Sequence, residues 1–182
     1  MSSRDTGTLT ILVPHDGSDP AQAAFEYAIE TFPGADLVLF HAIDPFDLPH
    51  ATDERTPLTD RWLEVQHARA ADLFEAAIAD LPVDVVRKSD PELGDDESSN
   101  EGSEESTTGT SANRQYTLES HSVATATSVG SPAQSIVAYV DDNDIDQVVL
   151  GSRGRGGVPA PQIGSTAEIV VKRVEVPVTI VR

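Results

Sequence analysis

The chain has 182 residues, of which 31 are acidic and 12 are basic, and its formal net charge is −19. This length suits a single domain spanning residues 1–182, and so acidic a surface repels nucleic-acid phosphates, which argues against DNA or RNA as a partner. The chain contains no cysteine, which excludes disulfides and thiolate chemistry, and it has no apolar run long enough to cross a membrane.

The start of the chain is predicted to form a strand, a helix and a second strand. Thr8 to Pro14 is an apolar run suited to a strand buried on both faces, and Asp36 to Ile43 repeats the pattern. Between them, apolar residues recur at helical spacing over residues 21–32, with Asp19 predicted as the cap and Pro20 as the first helical residue. We expect this helix to lie on the sheet.

The middle of the chain changes abruptly in composition. A second helix is predicted from about Thr59 to Leu81, with Trp62 in its first turn. Residues 89–106 then carry eight acidic side chains, no basic one and almost no apolar one. Such a segment cannot bury enough surface to offset its ordering entropy, so we expect a disordered acidic insertion at about residues 88–115.

The second half of the chain resumes the alternation of strands and helices. Strands are predicted at Ala124–Val129, Gln147–Gly151 and Val176–Val181, with helices capped by Ser131 and by Ser165 between them. Regular alternation favours parallel strands joined by right-handed crossovers. The predicted fold is therefore α/β, a doubly wound parallel sheet of five strands with helices on both faces.

A glycine pattern follows the fourth predicted strand. Gly151 ends that strand and Gly154 follows it. Gly164 stands ten positions after Gly154, directly before Ser165 and Thr166. Glycines let backbone N–H groups approach a ligand, and a helix N-terminus attracts anions, so the pattern predicts a cradle for phosphate. Alternatively, the first two glycines only form a tight turn and Ser165 only caps a helix; both readings can hold together.

Two arginines of the same loop are further candidates. The guanidinium groups of Arg153 and Arg155 can bind phosphate with directional hydrogen bonds, or they can simply be solvated. The sequence favours neither alternative.

The chain resembles the UspA-type universal stress protein family. Its nucleotide signature, G-x2-G-x9-G-[ST], is met by Gly151, Gly154, Gly164 and Ser165. Three further segments look like the family's opening strand with its P-x-D-x-S turn, its second strand and its last strand, namely residues 11–18, 40–44 and 176–181; the segment Gly130-Ser131-Pro132-Ala133 also fits. The resemblance covers all but the middle insertion.

The resemblance implies a fold, a ligand and an assembly. It implies the adenine nucleotide α-hydrolase-like fold with strand order 3-2-1-4-5, a homodimer formed by pairing the final strands, and binding of ATP, ADP or AMP, with Mg²⁺ on the phosphates. It places Asp16 near the adenine and ribose, with Pro14 and the backbone of Ala42 beside the base. The residues it places along the ribose and phosphates are Leu150, Gly151, Gly154, Gly164, Ser165 and Thr166.

Three residues depart from the family pattern. His15 stands where a small or apolar residue is usual, and it either adds a donor or a pH-dependent charge near the ligand or sits exposed. Pro159 and Pro161 stiffen the loop before Gly164 and remove two donors, which either preforms the cradle or spoils it.

The expected role is nucleotide binding with little or no catalysis. The chain has no P-loop, no H-E-x-x-H and no G-x-S-x-G motif, and its five histidines show no metal-ligand spacing. We therefore expect a cytoplasmic stress-response regulator with no metal site of its own. The alternatives are an interaction module of the same fold with an empty pocket, and a slow ATPase or an enzyme that phosphorylates its own Ser165. The acidic surface further suggests a halophilic source.

Overall fold

A computed structural model of the chain describes residues 7–46, 59–81, 114–118, 121–154 and 163–182, together with the backbone of residues 85–87. In chain order the helices and strands within these ranges are β1 (Thr10–Pro14), α1 (Asp19–Thr31), β2 (Asp36–Ile43), α2 (Asp60–Ala79), β3 (Val85–Arg87), β4 (Gln115–Leu118), β5 (His121–Val129), α3 (Pro132–Asp142), β6 (Gln147–Gly151), α4 (Ser165–Arg173) and β7 (Val178–Val181). The predicted acidic insertion lies outside the described residues, apart from its last two positions, 114 and 115.

The described strands form one sheet in the order β3-β4-β5-β2-β1-β6-β7. The five strands from β5 to β7 in this order are parallel and stand in the predicted order 3-2-1-4-5. The predicted number of strands is wrong, because β3 and β4 add two antiparallel strands beside β5. These two strands have only three and four residues, too few for a periodic pattern to reveal them.

Helices cover both faces of the sheet, as predicted for a doubly wound fold. The side chains of Leu12 and Val13 are both fully buried, but they belong to opposite cores, because neighbouring strand residues point to opposite faces. One core contains apolar side chains of α1 and α2, among them Phe25 and Phe74. The other core contains side chains of α3 and α4, among them Ile136 and Val170. The central strands are therefore apolar on both faces.

Two helices begin one residue away from their predicted caps. α1 starts at Asp19, so its N-cap is Ser18, and α4 starts at Ser165, so its N-cap is Gly164. The predictions that Asp19 and Ser165 act as caps are therefore wrong. The helix predicted from about Thr59 to Leu81 is confirmed as α2 (Asp60–Ala79), and the Thr59 hydroxyl caps it by accepting a hydrogen bond from the backbone N–H of Trp62 (3.2 Å).

Parallel pairing brings the ends of β1, β2 and β6 to the same edge of the sheet. Pro14, the last residue of β1, pairs with Phe40, so Ala42 on β2 lies two residues further toward this edge. The chain after β1 stays on β2, because the N–H of His15 donates to the carbonyl of Phe40 (2.7 Å). Among the helices in the described ranges, none combines the length and the apolar character needed to span a bilayer.

Candidate functional site

The turn that follows β1 meets the turn that follows β6. The two strands are parallel neighbours, so both turns leave the sheet at its carboxyl edge. The Ser18 hydroxyl lies 3.4 Å from the carbonyl oxygen of Arg153 and can donate to it across the gap. This edge is where ligands bind in doubly wound sheets, at the point where the winding reverses.

Asp16 is held in one orientation by Ser18. Its Oδ1 accepts hydrogen bonds from both the backbone N–H (3.1 Å) and the hydroxyl (2.6 Å) of Ser18. The Ser18 side chain makes no capping bond to α1, and its hydroxyl instead turns toward Asp16 in this Asp-x-Ser turn. The Asp-x-Ser spacing of Asp16 and Ser18 is visible in the sequence, but Ser18 was not among the predicted site residues.

Gly154 lies directly opposite the carboxylate. A Cβ placed on Gly154 would lie 2.5 Å from Oδ2 of Asp16, so any side chain here would push the carboxylate aside. The reason for glycine here is this close approach rather than the backbone angle, since the positive-φ glycines within the described ranges are Gly17, Gly34 and Gly130. The second glycine of the motif and the predicted carboxylate thus lie close together.

The third motif glycine brings the start of α4 to the same place. The N–H of Gly164 donates to the carbonyl of Ser152 (2.8 Å), and a Cβ on Gly164 would lie 3.3 Å from that oxygen. The first-turn N–H groups at Ser165 and Thr166 have no intrahelical partner, as at the start of any α-helix. Gly164 has no side chain that could cap them. Those groups carry the positive end of the helix dipole.

Gly151 has a packing role of its own. A Cβ on this residue would lie 2.6 Å from the backbone carbon and oxygen of Pro20 and 2.8 Å from the nitrogen of Ala21. The end of β6 therefore touches the backbone of α1 directly. Any side chain at residue 151 would push the first turn of α1 away from the sheet.

His15 is buried beneath the turn, with 5 % of its surface exposed. The alternative in which it sits exposed is wrong. Its ring contacts the backbone N–H of Gly17 through Nδ1 (3.2 Å) and the Gln22 side chain through Nε2 (3.2 Å). Its carbonyl accepts a hydrogen bond from Nδ1 of His41 (2.8 Å).

The remaining predicted site residues differ in their exposure. Pro14, Ala42, Arg153 and Thr166 are half-buried, and the side chain of Leu150 is buried in the core that α3 and α4 cover. Leu150 can therefore offer only its backbone to a ligand. Arg155, Pro159 and Pro161 lie outside the described residues.

The acidic residue in the first turn of α4 is paired. The Lys172 ammonium hydrogen-bonds to Glu168 one helical turn away, and this contact lowers the pKa of Glu168. The pairing offsets a carboxylate that would otherwise repel an anion at the start of the helix. Within the described ranges, no three histidine or acidic side chains are grouped so that they could hold a metal ion.

A separate cavity of about 280 Å³ lies between α3 and α4. The residues that line it are Ser131, Ala133, Gln134, Ile169, Lys172 and Arg173. None of them belongs to the two turns described above. Its two basic residues stand in the last turn of α4, where they interact favourably with the negative end of the helix dipole.

Residues 8–182 match the sequence model of the universal stress protein family. The chain belongs to this family. None of the curated proteins shows significant sequence similarity to it. Among solved structures, UspA from Lactobacillus plantarum is similar at 22 % identity and a TM-score of 0.63, with 98 % of this chain and 100 % of that chain covered.

Two further solved members of the family share the fold. A universal stress protein from Archaeoglobus fulgidus is 16 % identical with a TM-score of 0.54, and 97 % of this chain and 99 % of that chain are covered. A universal stress protein in complex with cAMP is 18 % identical with a TM-score of 0.53, and 97 % of this chain and 98 % of that chain are covered.

Proposed function

We propose that this universal stress protein binds an adenine nucleotide, ATP with Mg²⁺ or else ADP or AMP, at the edge where the turns after β1 and β6 meet. The observation that carries the proposal is the close approach of Oδ2 of Asp16 to Gly154, which joins the two turns at this edge. The bound cAMP of one solved relative supports an adenine ligand. We propose that the homodimer reports its nucleotide state to partner proteins in a stress response.

The charges at the site indicate where each end of the nucleotide would lie. A carboxylate repels phosphate but accepts hydrogen bonds from hydroxyl and amino groups, so Asp16 suits the ribose or adenine end. The N–H groups at Ser165 and Thr166 and the dipole of α4 suit the phosphate end. Arg153, whose Cα lies 3.4 Å from the Cβ position of Gly164, can add a cation near this end.

We propose that catalysis is slow or absent. The chain has only two lysines, and Lys172 is paired with Glu168 on the last helix. Without a lysine among the phosphates or a dedicated base, phosphoryl transfer lacks most of its usual electrostatic stabilisation. Ser165 is exposed at the phosphate end, so intact-mass measurement after incubation with MgATP tests self-phosphorylation, with Ser165→Ala as its control.

Calorimetry with MgATP tests the nucleotide site. The wild type is expected to bind, and Gly154→Val is expected to lose binding because its side chain occupies the gap beside Asp16. Gly34→Ala is the matched control, since a Cβ on Gly34 has no atom within 4 Å. Binding that is absent from the wild type, or that survives in Gly154→Val, would favour the alternative of an interaction module with an empty pocket.

We also propose that two copies pair through β7, which lies at the edge of the sheet. The carbonyls of Pro177 and Val181 accept hydrogen bonds from β6, so the backbone groups of Val178 and Ile180 face away from it. An edge of this kind is a template for strand pairing. Ile180→Pro removes one outward N–H without removing a bond to β6, and it is expected to give monomers in sedimentation velocity, whereas Ile180→Val stays dimeric.

The net charge of −19 leads to a further proposal, that the fold depends on salt. Mutual repulsion of carboxylates destabilises a compact chain, and dissolved ions screen it. The melting temperature is expected to rise from low to molar KCl. A melting temperature that stays flat or falls would contradict a halophilic adaptation.

A further inference from the structure

We propose that His15 is a positioning residue, whose neutral imidazole holds the turn that presents Asp16, so that protonation of His15 weakens nucleotide binding. This inference rests on the proposed function of the same site. It concerns a residue that departs from the family pattern and that touches the turn rather than the predicted ligand.

The hydrogen bonds of the ring require one tautomer. The backbone N–H of Gly17 can only donate, so Nδ1 of His15 accepts and carries no proton. A neutral ring then has its proton on Nε2, which faces Oε1 of Gln22 at 3.2 Å. The amide end of Gln22 is fixed in the matching orientation, because its Nε2 donates to the carbonyl of Ala77 (3.1 Å). Backbone groups therefore anchor both ends of this chain of bonds.

These hydrogen bonds hold the turn that carries Asp16 in one shape. Gly17 has a φ of 82°, in the left-handed region, and its N–H is the one bound to His15. Asp16 lies between these two residues, and its Oδ1 is bound by Ser18 immediately after them. Loss of the bond to Gly17 would free the turn to change shape, which would move Oδ2 of Asp16 away from Gly154.

Protonation breaks this bond directly. A proton on Nδ1 would point at the N–H of Gly17, so a donor would face a donor, and a buried ring would carry a charge. Among the described residues, the ionisable groups joined to the ring or its turn are Asp16 in the same turn, Glu26, which accepts a hydrogen bond from Gln22 (3.4 Å), and His41 on β2, which donates to the His15 carbonyl.

Each of the other described histidines has a hydrogen bond that protonation leaves in place. His41 and His121 each donate to a backbone carbonyl, of His15 and Phe32 respectively, and a protonated ring keeps that donor. His67 contacts the Thr127 hydroxyl, which can either donate or accept. Acidification should therefore act on the site through His15.

The test measures MgATP affinity between about pH 8 and pH 5, the range in which histidine changes its charge. Wild-type affinity is expected to fall by up to about tenfold per pH unit once the ring takes up its proton. His15→Asn places an amide oxygen where Nδ1 stood and cannot titrate, so it should bind with a flatter profile. His15→Leu removes the acceptor and should bind weakly throughout.

Control measurements distinguish the titration of the His15 ring from that of the ATP phosphates. The phosphates of ATP also titrate in this range, so the variants are compared with the wild type at each pH. His121→Gln changes a buried histidine at the opposite edge of the sheet and should keep the wild-type profile. A His15→Asn profile as steep as that of the wild type overturns the proposal.

A nucleotide-free experiment distinguishes failure of this inference from failure of the proposed function. Long-range proton–nitrogen NMR correlations of the wild type should show the proton of His15 on Nε2 near neutral pH. The Gly17 amide should lose protection from exchange as His15 titrates. A proton on Nδ1, or a Gly17 amide that ignores the titration, overturns the proposal even if nucleotide binds.

Discussion

The turn after β1 is held by side chains, whereas the turn after β6 is held by backbone contacts at glycines. In the first, His15 and Ser18 make hydrogen bonds that fix Gly17 and Asp16. In the second, Gly151 rests on the backbone of α1, and Gly164 rests on that of Ser152. One turn therefore supplies an oriented carboxylate, and the other brings the uncapped first-turn N–H groups of α4 to the same edge.

This difference predicts different responses to mutation. In the first turn, removing a polar group should loosen one orientation while the fold persists, because each bond contributes only about 1 kcal/mol. In the second, adding a side chain at Gly151 should create a collision with backbone, and adding one at Gly154 should displace the Asp16 carboxylate. The predictions below test that contrast, from the largest expected effect to the smallest.

The largest effect is expected for Gly151→Ala. The new Cβ would lie 2.6 Å from backbone atoms of Pro20, so α1 must shift, and the free energy of unfolding should fall by about 3 kcal/mol. Gly34→Ala, which meets no atom but has a φ of 82°, should cost only about 1 kcal/mol. Urea unfolding in molar KCl measures both, and an equal or smaller loss for Gly151→Ala would remove the packing role of this glycine.

The second prediction is that Gly154 and Asp16 act as a unit. Asp16→Ala should weaken MgATP binding by about 10- to 100-fold, the effect of losing a charged hydrogen-bonding group. Gly154→Ala should weaken it by about tenfold, because its Cβ displaces the carboxylate. In the double variant the Gly154 effect should vanish, since the displaced group is absent. Additive losses in calorimetry would show that the two residues act separately.

A smaller effect is expected for Ser18→Ala. The variant loses the 2.6 Å hydrogen bond to Asp16 and keeps the one from the backbone N–H, so stability should fall by about 1 kcal/mol and affinity by about fivefold. Ser131→Ala changes another N-cap serine whose side chain makes no capping bond, and it should stay within about 0.5 kcal/mol of the wild type. Equal changes for the two serines would argue against an oriented Asp16.

The smallest effect is expected for Gly164→Ser, and its two readouts should move in opposite directions. A hydroxyl at the N-cap can accept from the first-turn N–H groups of α4, and the close contact of its Cβ with the Ser152 carbonyl oxygen (3.3 Å) offsets part of this gain, so stability should rise by only a few tenths of a kcal/mol. The same bond competes with phosphate, so MgATP affinity should fall by about threefold. Thermal melts and calorimetry on one preparation test both, and an increase in affinity would contradict phosphate binding at this helix.

Much of the fold could be predicted from periodicity, and the errors have local causes. Long apolar runs such as Ile11 to Val13 identified the central strands, because burial on both faces leaves no polar positions. β3 and β4 were missed because they are short and flank an acidic segment. The N-caps of α1 and α4 each lie one residue before the predicted cap. Ser18 and Gly164, like the residues that follow them, are of types that favour the N-cap, so residue type alone does not distinguish the two positions.

The residues of the candidate site could be predicted from the sequence, but the contacts between them could not. The glycine spacing and Asp16 were readable from the sequence, and the structure brings Asp16, Gly154 and Gly164 to one edge of the sheet. Their assignment to a nucleotide stays a prediction. The burial of His15 and its bond to Gly17 could not be predicted, since they depend on Gln22 and on the carbonyl of Ala77 from a distant helix.

The sequence by itself determined the order of the four helices and five parallel strands along the chain, the apolar faces that form the two cores, and the glycines and carboxylate of the candidate site. These follow from spacing along the chain, which local geometry converts into faces and turns. Only the tertiary structure decided that Gly151 serves packing, that Gly154 faces Asp16, and that His15 holds the turn beneath it. Those relations join residues far apart in the chain, and they arise only when parallel strands bring their ends together.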